Sequence, residues 1–248
     1  MLQKVLQEIV DSGFTGVQLR VHDEMGEWVG SAGVGRLGES AEPPTDGHCR
    51  IGSNTKTFIA TLVLQLVAEG RIGLDTPADD YLSAFGLDRR ITVRMLLQHT
   101  QQEVPEPHAH AYYRYEEEDG RQTTVDVTRQ NPSWISGGGD MISTTRDLHT
   151  FISALMRGKL VPAPLLAEMR KPHPKAGYGL GVFVQETERG GTIITHNGGI
   201  TGHAALMYNT PDGSKTLTAA LNYVDDAAMS LAEPFQKATQ MLVREVFC

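Results

Sequence analysis

Cysteine is nearly absent: the 248 residues hold two, Cys49 and the C-terminal Cys248. That excludes a disulfide framework for a chain of this size, and with no CxxC or Cys/His spacing nearby it gives no reason to expect a metal knuckle. Long apolar runs are missing too. The longest, Phe58 to Val67, is broken by Thr61 and Gln65 and reaches about half of the ~20 residues a membrane span needs. Positive charge is not in excess, since 22 Lys and Arg face 30 Asp and Glu for a net −8. The footprint expected of a nucleic-acid binder is therefore lacking. No internal repeat is found. The first ten residues carry Lys4 and Glu8 and no apolar leader core or small-residue cleavage site, so they read as a helix, and the expected compartment is the cytoplasm.

What remains is ordinary for a globular enzyme: 40% hydrophobic residues, 21% charged residues and 26 glycines. Residues 2–10 place Leu2, Val5, Leu6, Ile9 and Val10 at helical spacing. Alternation over 16–21 and 28–34 around the turn 23–26 predicts a hairpin. From Ile59 to Ala68 apolar residues occupy every face of a helix, which predicts a buried one ending at Gly70. A short helix is expected at 91–99. Residues 101–132 show no sustained period and read as a loop-like insert. Thr144 and Asp147 have capping-box spacing before a helix reaching Met156. Strands are expected at 178–184, 192–196, 204–208 and 216–221, with a turn at 210–213, and a closing helix at 227–246. The whole predicts an α/β sandwich, one antiparallel sheet flanked by N- and C-terminal helices.

The sharpest local chemistry is Ser53-Asn-Thr-Lys56 at the entry to the apolar helix. Three residues apart on a helix, the hydroxyl and the amine share a face. Unpaired N–H groups at the helix start favour negative charge on the serine oxygen, and desolvation of the lysine lowers its pKa toward that of a general base. Taken alone, the pair is also what a capping serine and a solvated lysine look like.

The context decides between them. Arg50-Ile-Gly-Ser-Asn-Thr-Lys-Thr-Phe, Glu69-Gly-Arg-Ile-Gly-Leu-Asp, Ile91-Thr-Val-Arg-Met-Leu-Leu-Gln-His-Thr, Ser143-Thr-Thr-Arg-Asp-Leu, Gly177-Tyr-Gly-Leu-Gly and Thr195-His-Asn-Gly-Gly follow one another along nearly the whole chain. In these motifs the sequence resembles the penicillin-recognising serine hydrolases, in the branch of class C β-lactamases, soluble D-alanyl-D-alanine carboxypeptidases and related esterases. The resemblance implies a β-lactamase/transpeptidase-like sandwich over 1–248. Residues 1–48 and 172–248 would supply the sheet and terminal helices, and 49–171 the helical region.

The same resemblance implies Ser53 as nucleophile and Lys56 as base. His196-Asn197-Gly198 would be the third motif, with His196 catalytic and Asn197 and Gly198 beside the substrate. The backbone N–H groups of Ser53 and Gly199 would form the oxyanion hole. Trp134 matches a pocket aromatic of the carboxypeptidase branch, though core packing explains it equally well. No metal or cofactor is expected.

One family element is missing. No Tyr-x-Asn or Ser-x-Asn stands in the insert, and Gln101-Gln-Glu-Val-Pro-Glu joins its two sides directly, so the helical subdomain is expected to be truncated near 100–107. The expected function is a serine hydrolase or acyltransferase acting on a small-molecule ester, amide or thioester, with a homodimer partner covering the shortened wall. The alternative is a non-hydrolytic binding protein or a biosynthetic isomerase or cyclase on the same fold.

Overall fold

Local pattern and tertiary packing agree along much of the chain. The computed structural model describes residues 1–81, 83, 92–93, 109–117, 119–129, 138–172 and 177–248. Leu2–Asp11 (α1) buries Leu6 and Ile9. It leads into the hairpin Gly16–Asp23 (β1) and Gly26–Gly33 (β2), where the Met25 N–H donates to Asp23 Oδ1 at 2.9 Å within the turn. His48–Arg50 (β3) enters a tight turn at Gly52–Asn54 that opens Thr55–Ala68 (α2). Tyr112–Glu116 (β4) and Gln122–Asp126 (β5) form a second hairpin, and Ile142–Thr144 (β6) pairs with β3. Thr145–Met156 (α3) starts on the expected cap, the Asp147 N–H donating to Thr144 Oγ1 at 3.0 Å. Ala163–Met169 (α4) follows. The last third holds Phe183–Glu186 (β7), Thr192–Thr195 (β8), Gly198–Ile200 (β9), His203–Asn209 (β10), Thr216–Asn222 (β11), Val224–Asp226 (β12) and Ala232–Phe247 (α5).

Among the described residues the main sheet has seven strands in the order β2-β1-β11-β10-β8-β7, with β9 beside β10. Every pairing in it is antiparallel. Successive residues of β10 face opposite ways. Ala204, Leu206 and Tyr208 join Leu6, Leu19, Leu217 and Leu242 under α1 and α5, whereas Ala205 and Met207 join Leu64, Leu148, Ile152 and Met169 under α2, α3 and α4. Each large side chain so buried stabilises the fold by about 1.5–3 kcal/mol. Helices on both faces therefore explain why β10 and β11 are buried along their full length.

Five expectations change, the first being the strand expected at 178–184, which is confined to Phe183–Glu186 with Tyr178 joined to Phe183 by an isolated bridge. The region after 101 is not all loop: β4 and β5 pair with each other and β4 with β12, so strands also interrupt the stretch expected to be helical. Both faces of this hairpin are largely exposed, so no apolar alternation marks it. The helix at α2 is not buried all round, because Leu62 is 56% exposed. The closing helix starts at 232 rather than 227: Val224–Asp226 pairs with β4, Met229 takes φ +51°, and Asp226 Oδ1 holds the Ser230 N–H at 3.0 Å. The strand β9 was not anticipated. The expected helix at 91–99, the truncation near 100–107 and Trp134 lie outside the described residues, apart from residues 92 and 93.

Candidate active site

The turn at Gly52–Asn54 carries Ser53 to the mouth of α2, against the backbone of β9. A side chain on Gly52, at φ +49°, would put its Cβ 2.5 Å from the Gly199 nitrogen. One on Gly198 would fall 1.8 Å from the Ile51 carbonyl oxygen and 2.7 Å from the Ser53 nitrogen. Only glycine permits that approach. Asn54, wholly buried, pins the turn from below: its amide donates to the Ile51 carbonyl at 2.8 Å and, across to β10, to the Ala205 carbonyl at 3.1 Å.

On the first turn of α2, Lys56 Nζ lies 2.9 Å from Ser53 Oγ and 2.5 Å from the Gly138 carbonyl oxygen. Partial burial lowers the lysine pKa by penalising its charged form. A neutral amine meets both contacts, donating one N–H to the carbonyl and offering its lone pair to the serine O–H. That is the arrangement a serine nucleophile and its base require.

His196 is buried just past β8, on the same face of the sheet as Ile194. Its Nδ1 lies 2.9 Å from the Asn197 carbonyl oxygen and its Nε2 3.1 Å from Tyr178 Oη. A carbonyl only accepts, so Nδ1 carries the proton and the Tyr178 hydroxyl donates to Nε2. Desolvation lowers the His196 pKa, and the Lys56 charge pushes the same way against the opposing Asn197 hydrogen bond, so the neutral ring is favoured. Burial pushes the Tyr178 hydroxyl up to about 12, keeping it a donor.

Ser53, Lys56, Gly198 and Gly199 thus meet at one place, with His196 close enough to feel the lysine charge. The side chain of Asn197 does not join them. Its amide donates to Tyr208 Oη at 2.6 Å, on the face lined by α1 and α5, because the strand alternation that turns His196 inward turns its neighbour away. Cys49 lies buried in the core, its thiol pushed up to about 12, which leaves it unreactive. Sequence reasoning missed Asn54, Tyr178 and the Gly138 carbonyl as parts of the site. The signal for Tyr178 was its place in Gly177-Tyr-Gly-Leu-Gly.

The family model described as Beta-lactamase matches residues 2–106 and 100–238, two stretches that overlap over 100–106. The chain belongs to the beta-lactamase family. A penicillin-binding-protein relative in Bacillus subtilis is 32% identical over 102 residues, covering 40% of this chain and 25% of its own. The chain thus spans about a quarter of that curated relative's length. Solved structures extend the likeness further. A D-stereospecific amidohydrolase from a Streptomyces species matches with TM-score 0.78 and 25% identity over 95% of this chain and 96% of that one. The D-amino acid amidase of Ochrobactrum anthropi matches with TM-score 0.79 and 19% identity over 98% of each chain. These neighbours agree with the antiparallel sheet and flanking helices. Among the described residues no helix is long and apolar enough to cross a membrane.

Proposed function

We propose that this family member is a serine amidohydrolase or esterase working through a Ser53 acyl-enzyme. The observation that carries the reading is Lys56 Nζ 2.9 Å from Ser53 Oγ, its pKa lowered by burial. Neutral Lys56 takes the hydroxyl proton as Oγ bonds to the acyl carbon. The backbone N–H groups of Ser53 and Gly199 receive the oxyanion. On collapse, the C–N or C–O bond breaks and the lysine ammonium returns its proton to the leaving group, the task a Tyr-x-Asn tyrosine performs elsewhere in the family. Water then attacks the ester by the same route, releasing the acid and restoring Ser53. Tyr178 acts as a positioning residue that holds His196 neutral and oriented beside Lys56.

One observation supports the place of entry and one the choice of substrate. The acyl group enters over β9, where Gly199 is exposed. The fold neighbours named as a D-stereospecific amidohydrolase and a D-amino acid amidase make small amides and esters of D-amino acids the first compounds to assay. The same reading includes a second copy of the chain, covering the wall that the expected truncation near 100–107 would leave open. Intact-mass analysis with a fluorophosphonate and with D- and L-amino acid esters tests the reading. One adduct per chain, gone in Ser53→Ala with the circular dichroism unchanged, is expected; undiminished turnover in Ser53→Ala would refute it.

A further inference from the structure

A second cluster of chemically able side chains lies away from Ser53, at the far ends of β1 and β2. His22 on β1 and Glu27 on β2 are cross-strand partners, and His22 also pairs across to Thr216 on β11. From the helix layer α3 sends His149 onto this corner. Its ring centroid lies 4.9 Å from that of His22, and its Nδ1 2.6 Å from Thr216 Oγ1. One donor atom from each of His22, Glu27 and His149 falls within 4.8 Å of the other two. We infer that these three residues bind a divalent transition cation of the zinc type, tying the β1–β2 hairpin to α3.

The donor set and its surroundings agree. Two imidazoles and a carboxylate are a zinc, nickel or copper combination, whereas calcium and magnesium take oxygen ligands. Metal–ligand bonds near 2.1 Å place tetrahedral donors roughly 3.4 Å apart, so side-chain rotation of about an ångström closes the site. The outer contacts suit ligands. Thr216 engages His149 Nδ1, which leaves Nε2 for the ion, and Ser153 Oγ stands 3.5 Å from the same Nδ1. Buried Arg20 holds Glu27 Oε2 at 2.6 Å, orienting the carboxylate through one oxygen. The guanidinium charge is itself shared with Asp46, whose Oδ1 lies 2.6 Å away. Among the described residues no hydrogen bond occupies the His22 ring.

None of the three is legible as a ligand in the sequence, because the residues are separated by up to 127 positions and no spacing links them. Titration of the full chain with zinc chloride, followed by native mass spectrometry and calorimetry, tests the inference. One zinc per chain is expected, with a thermal midpoint that rises with zinc and not with magnesium or calcium. His22→Gln should weaken binding at least tenfold and remove that rise while leaving the circular dichroism unchanged. Glu27→Gln should do the same, and should it fail to fold through loss of the Arg20 pair, His22→Gln decides alone. Absence of saturable zinc binding, or binding unchanged in His22→Gln, would overturn the site.

Discussion

Gly198 shows how a single hydrogen atom in place of a side chain sets the geometry. An alanine there would drive its Cβ into the Ile51 carbonyl, a rigid backbone atom that cannot rotate away. Gly198→Ala should therefore displace β9 from the Ser53 turn. Overpacking costs about 1–3 kcal/mol, and a misplacement near 1 Å costs about a hundredfold in rate. Urea unfolding and acylation rates with an activated ester are expected to show both losses. At Lys56 the readout is pH. The base must be neutral to accept the serine proton, so the acylation rate should rise with pH through the folded-state pKa of Lys56. Burial places that rise below 10.5, the ordinary lysine value. A stopped-flow profile with no rise anywhere below pH 10.5 would contradict a general-base lysine. The Ser53–Lys56 pair was legible because a three-residue spacing on a helix fixes a contact before any tertiary structure exists. Tyr178 and the orientation of Asn197 were not, since both depend on which face each residue of the β8 strand presents and on what packs there.

Elements held together by neighbouring residues were read correctly. The α1 helix, the β1–β2 hairpin and the Thr144 cap of α3 each follow from spacing, turn chemistry and a short-range hydrogen bond. Replacing the cap tests this scale. Thr144→Ala removes the acceptor for the Asp147 N–H and should cost about 1 kcal/mol, read as a lower urea midpoint, with the acylation rate little changed. Some elements held by distant partners were misread, although β8, β10 and β11, the last of them paired with β1, stand where they were expected. The β12 strand forms because β4 lies beside it, in parallel, 112 residues earlier in chain order at Tyr112↔Val224, and this delays the start of α5. The three residues of β9 carry two glycines and no alternation, yet β10 pairs them into a strand. Likewise α2 carries apolar residues on every face but leaves Leu62 to solvent, because burial depends on which neighbours surround a helix as well as on its own residues.

At the scale of the whole molecule, helices cover both faces of one antiparallel sheet, and the site sits where β3, α2, β9 and the Gly138 segment converge. The proposed second copy belongs here. Sedimentation at high protein concentration should show a dimer, and a monomer throughout the range would remove that part of the reading. From the order of its motifs alone, the sequence determined the family, the sandwich of sheet and terminal helices, and the Ser53–Lys56 contact on which the proposed nucleophile and base rest, because those depend on local spacing and on residue types in fixed succession. Tertiary structure alone decided that Gly52 and Gly198 bring two backbones into contact, that Tyr178 meets His196 Nε2, and that Asn197 turns to the opposite face. It also gathered His22, Glu27 and His149 at one corner. These are contacts between residues far apart in the chain, and only the pairing register and the packing of helices on the sheet determine which of them meet.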